Sequence, residues 1–237
     1  MLDILYDDGP CLVVNKPAGL LTQAPEGIDS LEVQVREFYK RREAKEGNIY
    51  LGLPHRLDRP VSGAIVFARH VRAAQRLSSQ FENRTVSKSY WAFVEGHVAP
   101  DEGTWTDHLH KRHGMAQSIV VPADDPRGKL AVLHYRSLAT TPAGTWLEIE
   151  LETGRTHQIR VQAASRGFPV VGDTQYGATL SFGEQHDDER LRAITLHARH
   201  LGFQHPMTRE PVSLTAPVPP AWYTLRLPTE LLDRVQS

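Results

Sequence analysis

The sequence predicts a single strand-rich α+β domain spanning residues 1–237. Apolar runs of strand length recur along the chain, separated by Gly, Pro and Asn/Asp turn signals. Stretches with helical period are few by comparison. No internal repeat, low-complexity tract or linker breaks the chain, so composition offers no domain boundary. With 237 residues, 40% hydrophobic and 23% charged, the chain can bury a real core.

"CLVVNKPAGLL" reads as a buried strand from Cys11, ended by Pro17 and Gly19, with Lys16 at its exit. Ser30 is placed to cap a helix through "LEVQVREFYKRREAKEG". Leu31, Val35 and Phe38 form its apolar stripe, and Gly47 its stop. Pro54 and Pro60 keep "LPHRLDRPVSG" out of a helix and make it a loop at the mouth of the strand "GAIVFAR". An amphipathic helix follows over "HVRAAQRLSSQFEN", with Val71, Ala74, Leu77 and Phe81 on one side. Strands are expected at "SKSYWAFVEGHV", "GTWTDHLHK", "MAQSIVV", "KLAVLHYRSLAT" and "TWLEIELET". "GRTHQIRVQAASRG" reads as a helix entered through Gly154 and left through Gly167. Beyond it, "GFPVVGDTQYGA" is loop-rich and "SFGEQHDDER" an exposed acidic loop. "LHARHLGFQHP" and "PVSLTAPVPP" are closing strands.

Lys+Arg total 27 and Asp+Glu 28, a formal net charge of −1. That excludes a protein that coats nucleic acid nonspecifically, but leaves room for a local basic cleft. The lone Cys11, flanked by Leu12, Val13 and Val14, forms no internal disulfide and fits a reduced, cytoplasmic setting. "MLDILYDDGP" lacks the pattern of a signal peptide. No apolar run approaches the ~20 residues that span a bilayer, so no membrane partner is expected.

In "LPHRLDRPVSG", Asp58 sits among His55, Arg56 and Arg59. Opposite charge within a few ångströms would keep that carboxylate ionised, fit for nucleophilic or electrostatic work and poor as a general base. A loop-fixing ion pair reads equally from the same residues. Arg155, His157 and Arg160 make a second basic group; on a helix, 157 and 160 would share a face near an N-terminus that favours anions. Solvated arginines are the plain alternative. Tyr90, alternating with Ala92 and Val94, suits either core packing or stacking on a base. "HLHKRH" brings His108, His110 and His113 together without a matching carboxylate or cysteine set, so no metal is expected. No GxGxxG fingerprint or GxxxxGK[ST] loop is present, and no cofactor is expected.

"VVNKPAGLL", "HRLDRPVSG", "KSYWAFVEG", "GRTHQIRVQ", "GFPVVGDTQYG" and "LHARHLGFQHP" follow one another in the order found in RluA-type pseudouridine synthases. The resemblance runs from about Leu12 to Leu214, and the HRLD and GRTHQIR blocks together make it specific. It implies a pseudouridine synthase fold, a central and mostly antiparallel sheet flanked by helices. It implies isomerisation of uridine in structured RNA, tRNA or rRNA, by flipping the base from its stack, without cofactor or metal. By the same resemblance Asp58 is the catalytic aspartate, Arg160 pairs with it, and Tyr90 stacks on the uracil. Arg56 assists flipping, and Leu196 packs on the base. Arg69, Arg72, Arg76, Arg84 and Lys88 are candidates for phosphate contacts. The chain departs from the family pattern at Val61 and Gln162. Its sequence starts directly in the catalytic domain, so no separate N-terminal RNA-binding domain is expected; nothing in it demands a partner chain, and a monomer is expected.

Overall fold

A computed structural model describes residues 2–44, 46–225, 228 and 231. The chain divides into two compact units. One comprises the residues up to Lys88 together with Ala198–Pro219, and the other Ser89–His197 with the residues from Pro220.

In the first unit, β1 (Ile4–Asp8) turns back through Gly9 and Pro10 into β2 (Cys11–Lys16), and β2 pairs antiparallel with β3 (Ser62–Ala68). Next to β3 runs β9 (Leu196–Gln204), which belongs to this unit from Ala198 on, and β10 (Pro211–Thr215) pairs antiparallel with it. The approach of β3 to β9 demands a glycine: at Gly63 φ is +119°, and a Cβ would stand 2.3 Å from the Ala198 oxygen.

Two helices complete the unit. α1 (Leu31–Glu43) starts where expected, the Ser30 hydroxyl accepting from Val33 N–H at 3.3 Å. Its buried stripe is Leu31, Val35 and Tyr39; Phe38, expected inside, is partly exposed and meets the Tyr39 ring edge-on. It ends at Glu43, on a left-handed Ala44, before the expected Gly47. α2 (Val71–Glu82) is capped by His70, whose Nδ1 accepts from Ala73 N–H at 3.2 Å. Of the expected stripe, Ala74, Leu77 and Phe81 pack on the core, joined by Ala73, and only Val71 lies outside it. Ala73 and Leu77 are buried, while Val71 is 53% exposed. They pack on Cys11 and Val13 of β2 and on Ala64, Val66 and Ala68 of β3, alternate residues of one sheet face. Burying Val13, Val66 and Leu77 contributes roughly 1.5–3 kcal/mol each, and the alanine methyls less.

The second unit holds an antiparallel sheet in the order β4-β8-β7-β5-β6, built from β4 (Ser87–Glu95), which belongs to this unit from Ser89 on, β5 (Glu102–Lys111), β6 (Ser118–Val121), β7 (Lys129–Thr141) and β8 (Gly144–Leu151). Trp91 to Val94 are all buried, so β4 is covered on both faces. α3 (Gln158–Ser165) lies against this sheet, Val161 packing with Leu109 of β5 and Ala131 of β7. Gln162, fully buried, donates to Trp105 O at 3.1 Å and Asp107 Oδ2 at 2.7 Å, which ties α3 to β5. The α+β class and the mostly antiparallel sheet expected from the sequence are both present. No helix among the described residues is long and apolar enough to cross a membrane.

Candidate active site

Asp58 is half-buried in the loop ahead of β3. Both of its chain neighbours are bound to the segment that leaves β2. On one side, the Thr22 hydroxyl donates to Leu57 O at 2.8 Å and accepts from Leu57 N–H at 3.2 Å. On the other, Gly19 N–H donates to Arg59 O at 2.9 Å, and Arg59 Nε donates to Gly19 O at 2.9 Å. Val61 N–H closes the turn on Asp58 O at 3.1 Å. These bonds fix the backbone that carries the carboxylate, the kind of support a preorganised reacting group needs.

Lys16 completes this clamp. It is fully buried, and its ammonium donates to Pro17 O at 2.9 Å, Leu20 O at 2.6 Å and Arg59 O at 3.2 Å. Burial pushes its pKa down to about 7; the Asp58 charge opposes that shift and the Arg59 charge adds to it. Lys16 is therefore a cation within electrostatic reach of Asp58. The sequence marked its place at the strand exit and gave no sign of its burial.

His55 is not one of the cations around Asp58. Its ring stacks on Phe81 with centroids 4.4 Å apart, and its Nε2 accepts from Val66 N–H at 3.1 Å. An acceptor nitrogen must be unprotonated. Burial, reinforced by Lys88, pushes this imidazole down to about 3. Arg56 is exposed, and Arg59 braces the loop as described. Of the arginines expected to meet phosphate, Arg69 lies over the Tyr39 ring at 3.8 Å and pairs with Glu43, and Arg76 donates to Pro206 O at 2.5 Å. Both serve the fold. Lys88 is partly buried and Arg72 exposed.

In the second unit, Arg160 is 3% exposed on α3 and forms a two-pronged ion pair with Asp173, itself 2% exposed. Nε reaches Oδ2 at 2.6 Å and Nη2 reaches Oδ1 at 2.8 Å. Nη2 also donates to Gln175 Oε1 at 2.8 Å, and the Tyr176 ring lies 5.0 Å from the guanidinium. The loop that supplies Asp173, Gln175 and Tyr176 is the "GDTQYG" stretch. The sequence marked it as loop-rich and assigned none of these residues a role; an acid and an amide in a glycine-bounded loop were the available signal.

The expected helical face of His157 and Arg160 does not form. α3 begins at Gln158, and His157 precedes it with φ of +53°, a left-handed turn that takes its side chain off the helix. There its Nδ1 meets Tyr176 Oη at 3.0 Å. Arg155 also lies ahead of the helix, its Nε donating to Leu130 O at 2.8 Å. Gln158 locks this corner by accepting from Thr153 Oγ1 at 2.8 Å and from Arg155 N–H at 3.0 Å. A buried side chain satisfying that entry, rather than a helix N-terminus from Gly154, explains the late start. Tyr90 is half-buried on β4, opposite Ile149 of β8. Leu196 is 4% exposed, next to Thr195, whose hydroxyl donates to Phe93 O at 2.6 Å. Among the described residues, no group of three or more His, Cys, Asp or Glu is placed to hold a metal ion.

A family profile described as RNA pseudouridylate synthase matches residues 10–165. An uncharacterized RNA pseudouridine synthase, YlyB, of Bacillus subtilis (strain 168) is 36% identical over 226 residues, covering 92% of this chain and 69% of the relative. Ribosomal large subunit pseudouridine synthase D of Xanthomonas campestris pv. campestris is 37% identical over 225 residues, covering 92% of this chain and 66% of that protein. The chain thus spans about two thirds of these relatives' length. The solved structure titled human RNA pseudouridylate synthase domain containing 4 superposes with a TM-score of 0.77 at 24% identity, covering 96% of this chain and 94% of that one, a likeness of fold.

Proposed function

The chain belongs to the RNA pseudouridylate synthase family, in its RluA-type branch, and on that premise we propose that it isomerises specific uridines in structured RNA with Asp58 as the catalytic residue. The class of enzyme is an RNA pseudouridine synthase, an isomerase. The observation that carries the assignment to Asp58 is the clamp on both of its neighbours, which holds one carboxylate of the HRLD block on a braced loop.

The reaction breaks the N1–C1′ bond, turns the uracil and joins C5 to C1′. The C5 hydrogen leaves as a proton and N1 gains one, so atoms and charge balance without redox chemistry. A stacked or paired base is out of reach, and extruding it costs roughly a few kcal/mol, least in a loop. RNA loops are therefore the expected target. In this reading Asp58 attacks or assists departure at C1′, Tyr90 stacks on the base, Arg56 helps hold the flipped nucleotide, and Leu196 packs on it. The resemblance assigns Arg160 as the partner of the catalytic aspartate, and Asp173 holds its guanidinium. The family resemblance supports these roles, and the whole chain is proposed to act as one catalytic domain, a monomer in the cytoplasm. Ribosomal RNA is the first substrate class, because relatives are named for the large ribosomal subunit.

The chemistry supplies its own assay. A large-subunit ribosomal RNA transcript tritiated at uridine C5 releases tritium to water as pseudouridine forms. Wild-type protein is expected to release it, and Asp58→Asn to release none while still binding the transcript. Tritium release by Asp58→Asn contradicts the assignment.

A further inference from the structure

The β5–β6 hairpin ends in an exposed basic tip that the catalytic reading leaves unused. Every residue from Lys111 to Ala116 is exposed, and Met115 is 54% exposed. The tip has a defined shape. Arg112 N–H closes it on Gln117 O at 2.9 Å, and Gly114 turns it with φ of +72°. Lys111, Arg112 and His113 are consecutive there. Lys129, opposite Leu109 on β7, lies diagonal to Lys111 on the same sheet face.

Nearby carboxylates do not neutralise this charge. Asp107 pairs with Arg166 and Asp125 with Arg127. Among the described residues no carboxylate stands in ion-pair contact with Lys111 or Arg112. A guanidinium and an ammonium on an exposed turn suit phosphate oxygens, the first in two-pronged fashion and the second as a point charge.

The tip is also joined to Arg160 by one side chain. Gln175 Nε2 donates to Ala116 O at 2.8 Å, while its Oε1 accepts from Arg160 Nη2 at 2.8 Å. At the hairpin base, Tyr176 Oη accepts from Ser118 N–H at 2.9 Å and donates to Ser118 O at 3.2 Å. Ser118 Oγ in turn donates to Thr156 O at 2.7 Å, in the loop just before α3. The hairpin is thus pinned to the two segments that hold the buried arginine.

We propose that the 111–116 tip is a backbone-contact surface for the substrate RNA, with Lys111 and Arg112 on phosphates and Gln175 keeping the tip in register with Arg160. This rests on the pseudouridine synthase reading and adds to it a place where the RNA is held. It also gives the "HLHKRH" stretch a role that requires no metal. A chain of net charge −1 then binds RNA through concentrated rather than abundant positive charge.

The test compares wild type with the double variant Lys111→Gln/Arg112→Gln on total RNA from cells lacking the gene. Initial rates of pseudouridine formation are measured across RNA concentration and from about 50 to 200 mM salt. The variant is expected to raise KM with little change in kcat. Its log(kcat/KM) should fall less steeply with log salt, by about 0.7–0.9 per lost phosphate contact. Circular dichroism confirms that the exposed substitutions leave the fold intact. Equal KM and equal salt slopes in wild type and variant overturn the proposal while leaving the enzyme reading standing. Absence of pseudouridine formation by wild type sinks the enzyme reading, and this surface with it.

Discussion

His55 shows at the residue scale how burial reverses a charge count. Beside Arg56, Asp58 and Arg59 in the sequence, it reads as one more potential cation. In the fold it stacks on Phe81 and accepts from Val66 N–H, which only the neutral ring can do. Its folded pKa of about 3 lies below the ordinary value of 6.5, so the unfolded chain takes up the proton first as pH falls. Its contribution to stability is complete above pH 6.5 and is lost progressively between there and about pH 3. Nitrogen NMR of the imidazole should therefore show neutral His55 at pH 5; titration near 6.5 would contradict this. Lys16 is the converse case. Its neighbours in sequence, Asn15 and Pro17, say nothing of the three carbonyls that surround its ammonium, because Leu20 and Arg59 reach it only after the chain turns. Asp58 draws notice in the sequence as one carboxylate in a block of basic residues and prolines, but its proposed catalytic role rests on the family resemblance, since a loop-fixing ion pair reads equally from those residues.

At the scale of elements, strands were easier to read than helix faces. The buried runs of β2 and β3 leave little choice, whereas α2 has apolar residues at 71, 73, 74, 77 and 81, enough for two neighbouring stripes. The packing takes in Ala73 beside the expected Ala74, Leu77 and Phe81 and leaves Val71 outside, a choice local periodicity does not encode. The entry to α3 was misread for a related reason: Gln158 is bound to Thr153 in the preceding loop and to Val132 on β7, and these bonds delay the helix. That delay leaves Arg160, on the helix, as the member of the GRTHQIR block held by Asp173. Removing one partner of a buried ion pair strands a charge, at about 3–5 kcal/mol. Asp173→Ala is expected to destabilise the protein by about that much in urea unfolding. Replacing both partners by Asp173→Leu with Arg160→Met should cost less than Asp173→Ala alone. A loss from Asp173→Ala well under about 1 kcal/mol would show that the pair is not the anchor described.

At the scale of the whole molecule, class and family were legible because six segments occur in one order over most of the chain, and the family profile and relatives agree. The anchoring of the HRLD loop by Lys16, Gly19 and Thr22, and of Arg160 by Asp173 and Gln175, was not legible. These bonds join residues far apart in sequence or in loops without periodicity. The central claim is that this chain makes pseudouridine in RNA and that Asp58 is indispensable to it. The most direct measurement maps pseudouridines in RNA from cells lacking the gene, then from the same cells carrying wild type or Asp58→Asn. The account predicts ribosomal RNA positions that vanish on deletion, return with wild type and stay absent with Asp58→Asn. Their return with Asp58→Asn, or a map unchanged by deletion, would contradict it.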